Sequence, residues 1–394
     1  MNGGYGMVFR KGNSRTTDTD DLGTAPRPWV ASALAPFQEQ LAALARPGET
    51  ASLAVITDTH YKSGFDATYY GINGLQHVTE FMANVANQPG IDAYAHLGDL
   101  IDGSESGPAD QQHLREMVAA LSQPVGKPFY IAKGNHDDND KFDEHQVARR
   151  ASFQANTFAD IVFQADYRQP QLQRFSQRYG VAWLDVGPVR FLFINTSDVP
   201  YRLNRFGIKK YDVKLNLAVR QGQMAEIIQI LQMSGDKAII VCGHGNLLKA
   251  NHKDGLHHNG RTLHELFRAF NLQARGTVAT HGRNADFQIN LPFDFTRVRN
   301  ARITAYVCGH RHTEQTFVDH DIRYLLLNCS ALMGRNHQLT TKYNARWDRR
   351  YGETNEYAGY ALVADPAARQ LSVLGYGAAT PLRQFAMWFP EPRN

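Results

Sequence analysis

Five short polar clusters in the sequence carry side chains that can bind metal ions. Each follows directly on an apolar run: DTH comes after LAVIT, GDLID after AYAHL, KGNHD after PFYIA, GHGN after KAIIVC, and GHRH after ITAYVC. Together they supply carboxylate, imidazole and carboxamide donors: Asp58, His60, Asp99, Asn135, His136, His244, His310 and His312. Mixed nitrogen and oxygen ligation without a thiolate suits Mn, Fe or Zn better than calcium.

These donors are too many for one metal ion. A single ion with four to six ligands would leave several of them unpaired, whereas two ions that share a bridging carboxylate would use them all. Two ions about 3.5 to 4 Å apart can bind a phosphoryl oxygen, generate a bridging hydroxide near neutral pH and offset charge on the entering and leaving oxygens. The donor set therefore favours hydrolysis of phosphate esters.

The apolar runs before the clusters predict strands whose carboxyl ends meet. Asp99 follows Asp58 by 41 residues and Asn135 follows Asp99 by 36, each enough for a strand, a crossover helix and a return strand. Residues 75–86 and 111–122 are candidate crossover helices. Because ligands bind outside the carboxyl ends of strands in α/β sheets, the five clusters are expected to lie at one edge.

The last cluster shows how closely the backbone must approach such a site. His310 and His312 are two residues apart, so both can reach the same edge from the end of one strand. Gly309 lacks a Cβ and allows the backbone to turn close to the metals. The repeated VCGH sequence at 241–244 and 307–310 therefore indicates two buried strands that each end in a tight turn into a ligand.

The ordered blocks DTH, GDLID, GNHD, GH and GHRH resemble the five signature blocks of the calcineurin-like metallophosphoesterase family. In that family the blocks read DxH, GDxxD, GNHD or GNHE, GH and GHxH. The match spans residues 58 to 312, roughly two-thirds of the chain, and includes every metal-ligand position. Five ordered blocks coincide by chance far less often than a lone motif.

The resemblance implies a fold and a set of metal ligands. The fold would be an α/β (α+β) four-layer sandwich in which two mixed β-sheets are flanked by helices and carry inserted cap elements. Each of two metal ions, divalent or trivalent and drawn from Mn, Fe or Zn, would have its own ligands. The first set would be Asp58, His60 and His312, and the second Asn135, His244 and His310, with Asp99 bridging the two ions.

The resemblance also implies catalytic roles for three residues beside the ligands. His136 would face the substrate and either stabilise the transition state or protonate the leaving oxygen, as a general acid does. Asp137 would orient that imidazole, and Asp102 would support the ligands from outside the metal site.

The implied activity is binuclear-metal-dependent hydrolysis of a phosphate ester by in-line attack of a metal-bridging hydroxide. The substrate stays open, since family members act on phosphoproteins, nucleotides, cyclic nucleotides, phospholipid headgroups and nucleic acids with the same core. We favour a small phosphodiester or nucleotide, with a phosphomonoesterase or protein phosphatase as the alternative.

Two interpretations without catalysis compete with the hydrolase. Alone, His60 or His244 could be a hydrogen-bonded loop histidine, and GDLID could be a turn with an N-cap aspartate. The chain could also be a non-catalytic scaffold that binds partners, as is the retromer subunit that keeps the fold but has lost key residues. The intact GNHD block and the complete ligand set argue against the scaffold.

Composition limits the class of protein and its partners. With 43% hydrophobic and 20% charged residues, the 394-residue chain has the composition of a globular protein. A net charge of +4 from scattered Lys and Arg makes nucleic acid an unexpected partner. Three cysteines without a CxxC pair, and the absence of an apolar run of about 18 residues, predict a cytoplasmic protein without a membrane partner. The expected partner is a small-molecule phosphate ester.

The chain divides into three predicted regions. Residues 1–48 are an N-terminal arm and helix, 49–380 the metallophosphoesterase domain with insertions near 138–182 and 247–300, and 381–394 a C-terminal tail. The first insertion could fold over the metals as a cap. The segment 249–270 could bind the non-scissile part of a substrate or form a solvated polar loop.

Overall fold

A computed structural model describes residues 25–63, 71, 73–123, 125–143, 152–280, 282, 284–333 and 348–390. Seven helices lie in these ranges: α1 Pro28–Leu44, α2 Gly74–Phe81, α3 Gly107–Leu121, α4 Asp140–Asp143, α5 Gln164–Tyr167, α6 Gln221–Gln232 and α7 Gly260–Asn271. Shorter helical turns span Met82–Ala86, Ala159–Phe163 and Ala285–Phe287. None of the helices in the described ranges combines the length and apolar character needed to cross a bilayer.

Fourteen strands are present in the described part of the chain: β1 Ala51–Ile56, β2 Ala93–His96, β3 Phe129–Ile131, β4 Ala182–Val186, β5 Val189–Phe193, β6 Ala238–Gly243, β7 Arg275–Ala279, β8 Asn290–Asp294, β9 Arg302–Cys308, β10 Gln315–Asp319, β11 Ile322–Leu326, β12 Ala358–Asp365, β13 Gln370–Gly377 and β14 Leu382–Ala386. They form two six-stranded sheets, in the orders β14-β13-β12-β1-β2-β3 and β10-β11-β9-β6-β5-β4, and the hairpin β7-β8.

Both large sheets mix parallel and antiparallel pairs. In the first, β1, β2 and β3 run parallel while β12 joins β1 antiparallel. In the second, β5, β6, β9 and β11 are parallel, and β4 and β10 are antiparallel edge strands. The structure confirms the predicted two mixed sheets flanked by helices.

The packing of sheets and helices in layers explains why the strands before the polar clusters are continuous apolar runs. Leu53 and Val55 of β1 lie in the core between the two sheets, while Ala54 and Ile56 face the layer of α1, α2 and α3. A second helical layer, α6 and α7, covers the outer face of the other sheet. A strand between two apolar layers is buried on both faces, so its sequence does not alternate.

The predicted C-terminal boundary differs from the structure. Residues 382–386 form β14, which pairs with β13, because the alternating sequence completes the edge of the first sheet. The expected tail therefore belongs largely to the domain, and Met387 and Phe389 are buried in the core between the sheets. The N-terminal helix begins at Pro28, where proline fits the first turn. Residues 1–24 of the predicted arm lie outside the described residues.

Candidate metal centre

The five polar clusters meet at the carboxyl ends of β1, β2, β3, β6 and β9. Backbone bonds join the first two clusters, since Asp58 N donates to Gly98 O and His60 N donates to Asp99 O, both at 3.0 Å. The two sheets are joined at the same edge, where His244 Nδ1 lies 2.9 Å from Leu97 O. The edge between the sheets is therefore one site.

One group of donors comes from the first, second and fifth clusters. Ligand atoms of Asp58, His60, Asp99 and His312 all lie within 4.8 Å of one another. The two imidazole Nε2 atoms of His60 and His312 are 3.0 Å apart, and His312 Nε2 is 3.2 Å from Asp58 Oδ1. Four donor atoms thus surround a single position.

A second group shares Asp99 with the first. Ligand atoms of Asp99, His244 and His310 lie within 4.8 Å of one another. Asn135 Oδ1 joins them, at 2.9 Å from His244 Nε2 and 2.8 Å from His310 Nδ1. Asp99 Oδ2 lies 3.3 Å from His244 Nε2 and 3.6 Å from His60 Nε2. One carboxylate therefore belongs to both groups.

The donor sets fit two metal ions. Each group offers neutral nitrogen and anionic oxygen donors without sulfur, the composition that suits Mn, Fe or Zn. Two imidazole nitrogens that face each other at 3.0 Å can share at most one hydrogen bond, whereas a cation between them would use both lone pairs. Asp58, His60, Asp99 and His244 are almost fully buried, so their geometry is set by packing.

The backbone at this edge adopts an unusual conformation. Five of the seven predicted ligands have left-handed φ values: Asp58 at 53°, His60 at 47°, Asp99 at 54°, His310 at 66° and His312 at 51°. Residues other than glycine seldom adopt this region, and such strain gathers at functional sites. The backbone strain thus coincides with the residues that the sequence singled out.

Gly309 is required by close packing at the same place. A Cβ at Gly309 would collide with Asp58 Oδ2 and Thr57 Oγ1. The backbone N–H of His310 donates to both oxygens of the Asp58 carboxylate at 3.0 Å. The missing side chain therefore lets the last cluster approach the first.

Electrostatics keep the central carboxylates ionised. Burial alone would raise the pKa of Asp99, but the charges of His244, His136 and His60 hold it well below its usual range. Burial lowers the pKa of His244, and Asp99 more than offsets this and raises it to about 9. Burial lowers the pKa of His310 to about 3. His244 must therefore lose a proton when it binds a cation.

His136 lies at the mouth of the site and is half-buried. Its backbone N–H donates to Asp99 Oδ1 at 2.8 Å, and its ring packs edge-on against His60 with 4.6 Å between centroids. Its Nδ1 lies 2.8 Å from the carbonyl oxygen of Asp102, so Nδ1 carries the proton and donates. Burial lowers the pKa of His136 to about 3, so the ring is neutral near pH 7.

Asp137 does not orient that ring, contrary to expectation. Its carboxylate accepts backbone N–H groups from Asp99, Leu100, Ile101 and Gly134 at 2.7–3.2 Å. The carboxylate is buried beneath the GDLID turn, where it satisfies three backbone N–H groups after β2 and one after β3. The Asp102 carbonyl contacts the His136 ring instead, and Asp137 holds the backbone that carries Asp99.

Asp102 has cationic partners that the sequence did not indicate. Both of its carboxylate oxygens accept from Lys141 Nζ, at 2.8 and 2.7 Å, and Lys62 Nζ lies 3.9 Å away. Asp102 Oδ1 is 3.7 Å from His60 Nδ1. Asp102 therefore lies behind His60, while the two lysines compensate its buried charge. Lys141 follows GNHD by four residues, but no spacing rule identifies it.

The segment 209–217 was also missed as a neighbour of the site. Asn135 Nδ2 donates to Lys214 O at 3.0 Å, and the ammonium of Lys209 pairs with Asp140 at 2.6 Å. The segment 209–217 thus helps to orient the Asn135 carboxamide. The first predicted insertion, near 138–182, was considered as a cap over the metals. Two of its residues, Phe158 and Val162, pack into the helical layer of the first sheet.

Comparison with known proteins gives one family match and several related folds. A sequence model of calcineurin-like phosphoesterases matches residues 51–314. The fold is similar to that of a dimetal phosphatase from Danio rerio, with a TM-score of 0.55 and 11% identity over 86% of this chain and 99% of that chain. A purple acid phosphatase from yellow lupin (Lupinus luteus) seeds has a TM-score of 0.46 and 13% identity over 88% of this chain and 55% of its own. No curated protein matches the sequence.

Proposed function

The chain belongs to the calcineurin-like phosphoesterase family and is a metal-dependent phosphoesterase, and from this premise we propose that it hydrolyses a small phosphodiester or nucleotide by in-line attack of hydroxide on phosphorus. The observation that carries the proposal is the double membership of Asp99, which lies in both donor groups. A shared carboxylate is what two neighbouring metal ions require.

We assign the two ions to the two donor groups. Asp58, His60 and His312 would hold one, Asn135, His244 and His310 the other, and Asp99 would bridge them. When bound, such a pair supplies Lewis acidity toward a phosphoryl oxygen and lowers the pKa of water. The donor set does not distinguish among Mn, Fe and Zn.

His136 is proposed to handle the leaving group. With Nδ1–H donating to the Asp102 carbonyl, Nε2 is the nitrogen left for a substrate. The negative charge of a bound phosphate ester would raise the pKa of this ring, so that Nε2 would take up a proton from solvent and then donate it to the leaving oxygen. Asp137 supports this arrangement indirectly, through the backbone around Asp99.

One cavity of the structure has a size and lining that suit a small anionic substrate. It has a volume of about 440 Å³ and is lined by basic and aromatic residues that include Lys133, Arg178, Tyr201 and Arg220. Lys133 precedes Asn135 by two residues, and it links the lining of the cavity to the GNHD segment along the chain. This volume suits a small molecule. Lys133 and Arg220 also pair with acidic residues, so the cavity is mildly rather than strongly basic.

The test compares two substrates. Purified protein would be stripped of metal, reloaded with Mn²⁺, and assayed on bis-(p-nitrophenyl) phosphate and on p-nitrophenyl phosphate, with Asp99→Asn as the matched inactive control. Faster metal-dependent cleavage of the diester supports the proposal. Faster cleavage of the monoester would favour a phosphomonoesterase, and a fully metallated protein that cleaves neither would favour the scaffold.

We propose the cytoplasm as the compartment. All three cysteines, Cys242, Cys308 and Cys329, are buried, and no disulfide joins them. Reduced thiols in apolar strands are in keeping with a reducing compartment.

A further inference from the structure

A second cluster of metal-binding side chains lies on the outer edge of the second sheet. Asp319 ends the edge strand β10, and three histidines surround its carboxylate. His264 Nε2 lies 2.8 Å from Asp319 Oδ1, His320 Nδ1 contacts the same oxygen, and His252 Nδ1 contacts Oδ2. Ligand atoms of His264, Asp319 and His320 all lie within 4.8 Å of one another.

This cluster is separate from the centre already described. Gln315, at the other end of β10, pairs with Leu326, which in turn pairs with Cys308 at the end of β9. Asp319 is four residues further along the strand, or about 13 Å away at the usual rise per residue. The cluster therefore shares no residue with the donor groups around Asp99.

Three distant segments supply the donors, and packing orients the buried one, His264. His252 comes from the loop after β6, His264 from the first turns of α7, and His320 from the β10–β11 turn. His264 is 1% exposed, and its Nδ1 lies 2.7 Å from the Tyr324 hydroxyl. The Tyr324 ring stacks on Phe317 with 4.8 Å between centroids. A hydrogen bond that orients the far nitrogen is the usual support of a metal-binding imidazole.

We infer that His264, Asp319 and His320 form a second, mononuclear site for a divalent transition metal of the zinc type, with His252 on the other carboxylate oxygen of Asp319 as a further donor. Imidazole and carboxylate are both common zinc ligands. As an ion-pair cluster, the three imidazoles would each have to present an N–H to the Asp319 carboxylate. A cation would instead accept lone pairs from His264, Asp319 and His320, whose ligand atoms converge.

The inferred site would be structural. It would bind the loop that follows His244, the start of α7 and the exposed edge strand β10 to one another. His252 and His320 are about half exposed, with side-chain exposures of 55% and 50%, so an ion can enter from solvent. Both have left-handed φ values, 61° and 46°.

The test counts metal ions in three proteins. The double variant His252→Asn/His320→Asn removes two donors, and asparagine tolerates the left-handed backbone at both positions. His257→Asn is the matched control, because His257 lies in the same loop and its Nδ1 accepts from Leu217 N rather than facing Asp319. Each protein would be loaded with Zn²⁺, desalted and analysed by plasma mass spectrometry.

The expected result is one zinc ion fewer per chain in the double variant than in wild type, with no loss in His257→Asn. Cobalt-loaded wild type should also show a tetrahedral absorption component that the double variant lacks. Equal zinc content in wild type and double variant would overturn the inference. The residues around Asp319 would then form an ion-pair cluster without a metal. The test uses the difference in zinc content between wild type and the double variant. Both proteins keep the Asp99 centre, so the number of ions in that centre does not affect the result.

Discussion

The Nε2 atoms of His60 and His312 lie 3.0 Å apart although 252 residues separate the two histidines in the chain. One follows the first strand of the first sheet and the other follows β9 of the second sheet. The contact therefore exists only when the two sheets pack face to face, and the same packing brings Asp99 between the two donor groups. Folding and metal binding are thus coupled at this edge.

Asp99→Asn should remove metal from both positions of the centre, because the shared carboxylate loses its charge. We expect turnover to fall about 1,000-fold or more, as several kcal/mol of transition-state stabilisation are lost. His312→Asn should lose only one ion, since His312 belongs to one group. Metal content and kcat measured on both variants test this. If Asp99→Asn retained two ions, the bridging role would be wrong.

His136→Ala should slow hydrolysis without changing metal content, because no donor of either group is altered. The loss should reach about 100-fold or more for a substrate with an alkoxide leaving group. It should be smaller for p-nitrophenyl esters, whose leaving group needs little protonation. Rates on both substrate types test the assignment. Equal losses on both would indicate a positioning role instead of proton donation.

Gly309→Ala should impair the centre, because its methyl group would collide with the Asp58 carboxylate. We expect weaker metal binding and lower kcat with the fold retained. Gly282→Ala is the matched control, since a Cβ there would meet only Thr280 Cγ2, at 3.6 Å. Metal titrations of both variants test this. Normal metal affinity in Gly309→Ala would show that the turn can shift without cost.

Glu356→Gln should destabilise the protein at pH 7 by up to about 3 kcal/mol. Glu356 is fully buried and accepts from His77 and Arg27 at 2.8 Å, which hold its pKa at about 2 although burial alone would raise it. A depressed pKa stabilises the folded state above the unfolded value, near 4.5, and this gain disappears as pH falls toward 2.

Denaturant unfolding of wild type and Glu356→Gln at pH 7 and pH 3 measures this pH dependence. The difference between the two proteins should shrink at the lower pH. Glu49→Gln is the control, because the Arg46–Glu49 pair is exposed and should contribute little. A difference that stays constant between the two pH values would contradict the assigned pKa.

Asp166→Asn should stabilise the protein at neutral pH. Burial raises the pKa of Asp166 well above its usual value, and its Oδ2 has no hydrogen-bond partner among the described residues. The wild-type carboxyl therefore opposes folding once pH exceeds its unfolded pKa, by about 1.4 kcal/mol for each unit of the shift. Thermal melting at pH 7 should show a higher midpoint for the variant, and no gain would be expected near pH 3. A lower midpoint at pH 7 would contradict this.

Much of the candidate site could be predicted from the sequence because its signals are local. A polar cluster after an apolar run identifies both the strand and the donor that follows it, as in LAVIT before Asp58 and ITAYVC before His310. The order of the blocks and the need for two ions follow from residue types alone. The resemblance to the family implied the two-sheet architecture, and the structure confirms it.

The partners of individual atoms could not be predicted from the sequence. Asp137 follows His136 in the chain, yet its carboxylate accepts hydrogen bonds from the backbone of the GDLID turn, because the N–H groups that follow β2 face it there. Lys141 and Lys214 reach the site from segments without a motif. The cluster around Asp319 combines three separate segments, and none of its four residues stands out by spacing.

The sequence by itself determined which residue types stand at the ends of which strands, because a strand and the turn after it are specified within a few residues. The tertiary structure decided which side chains face one another, which carboxylate is shared, and which charges are compensated. Those outcomes depend on how two sheets and their helical layers pack, and packing joins residues such as His60 and His312 that no local pattern relates.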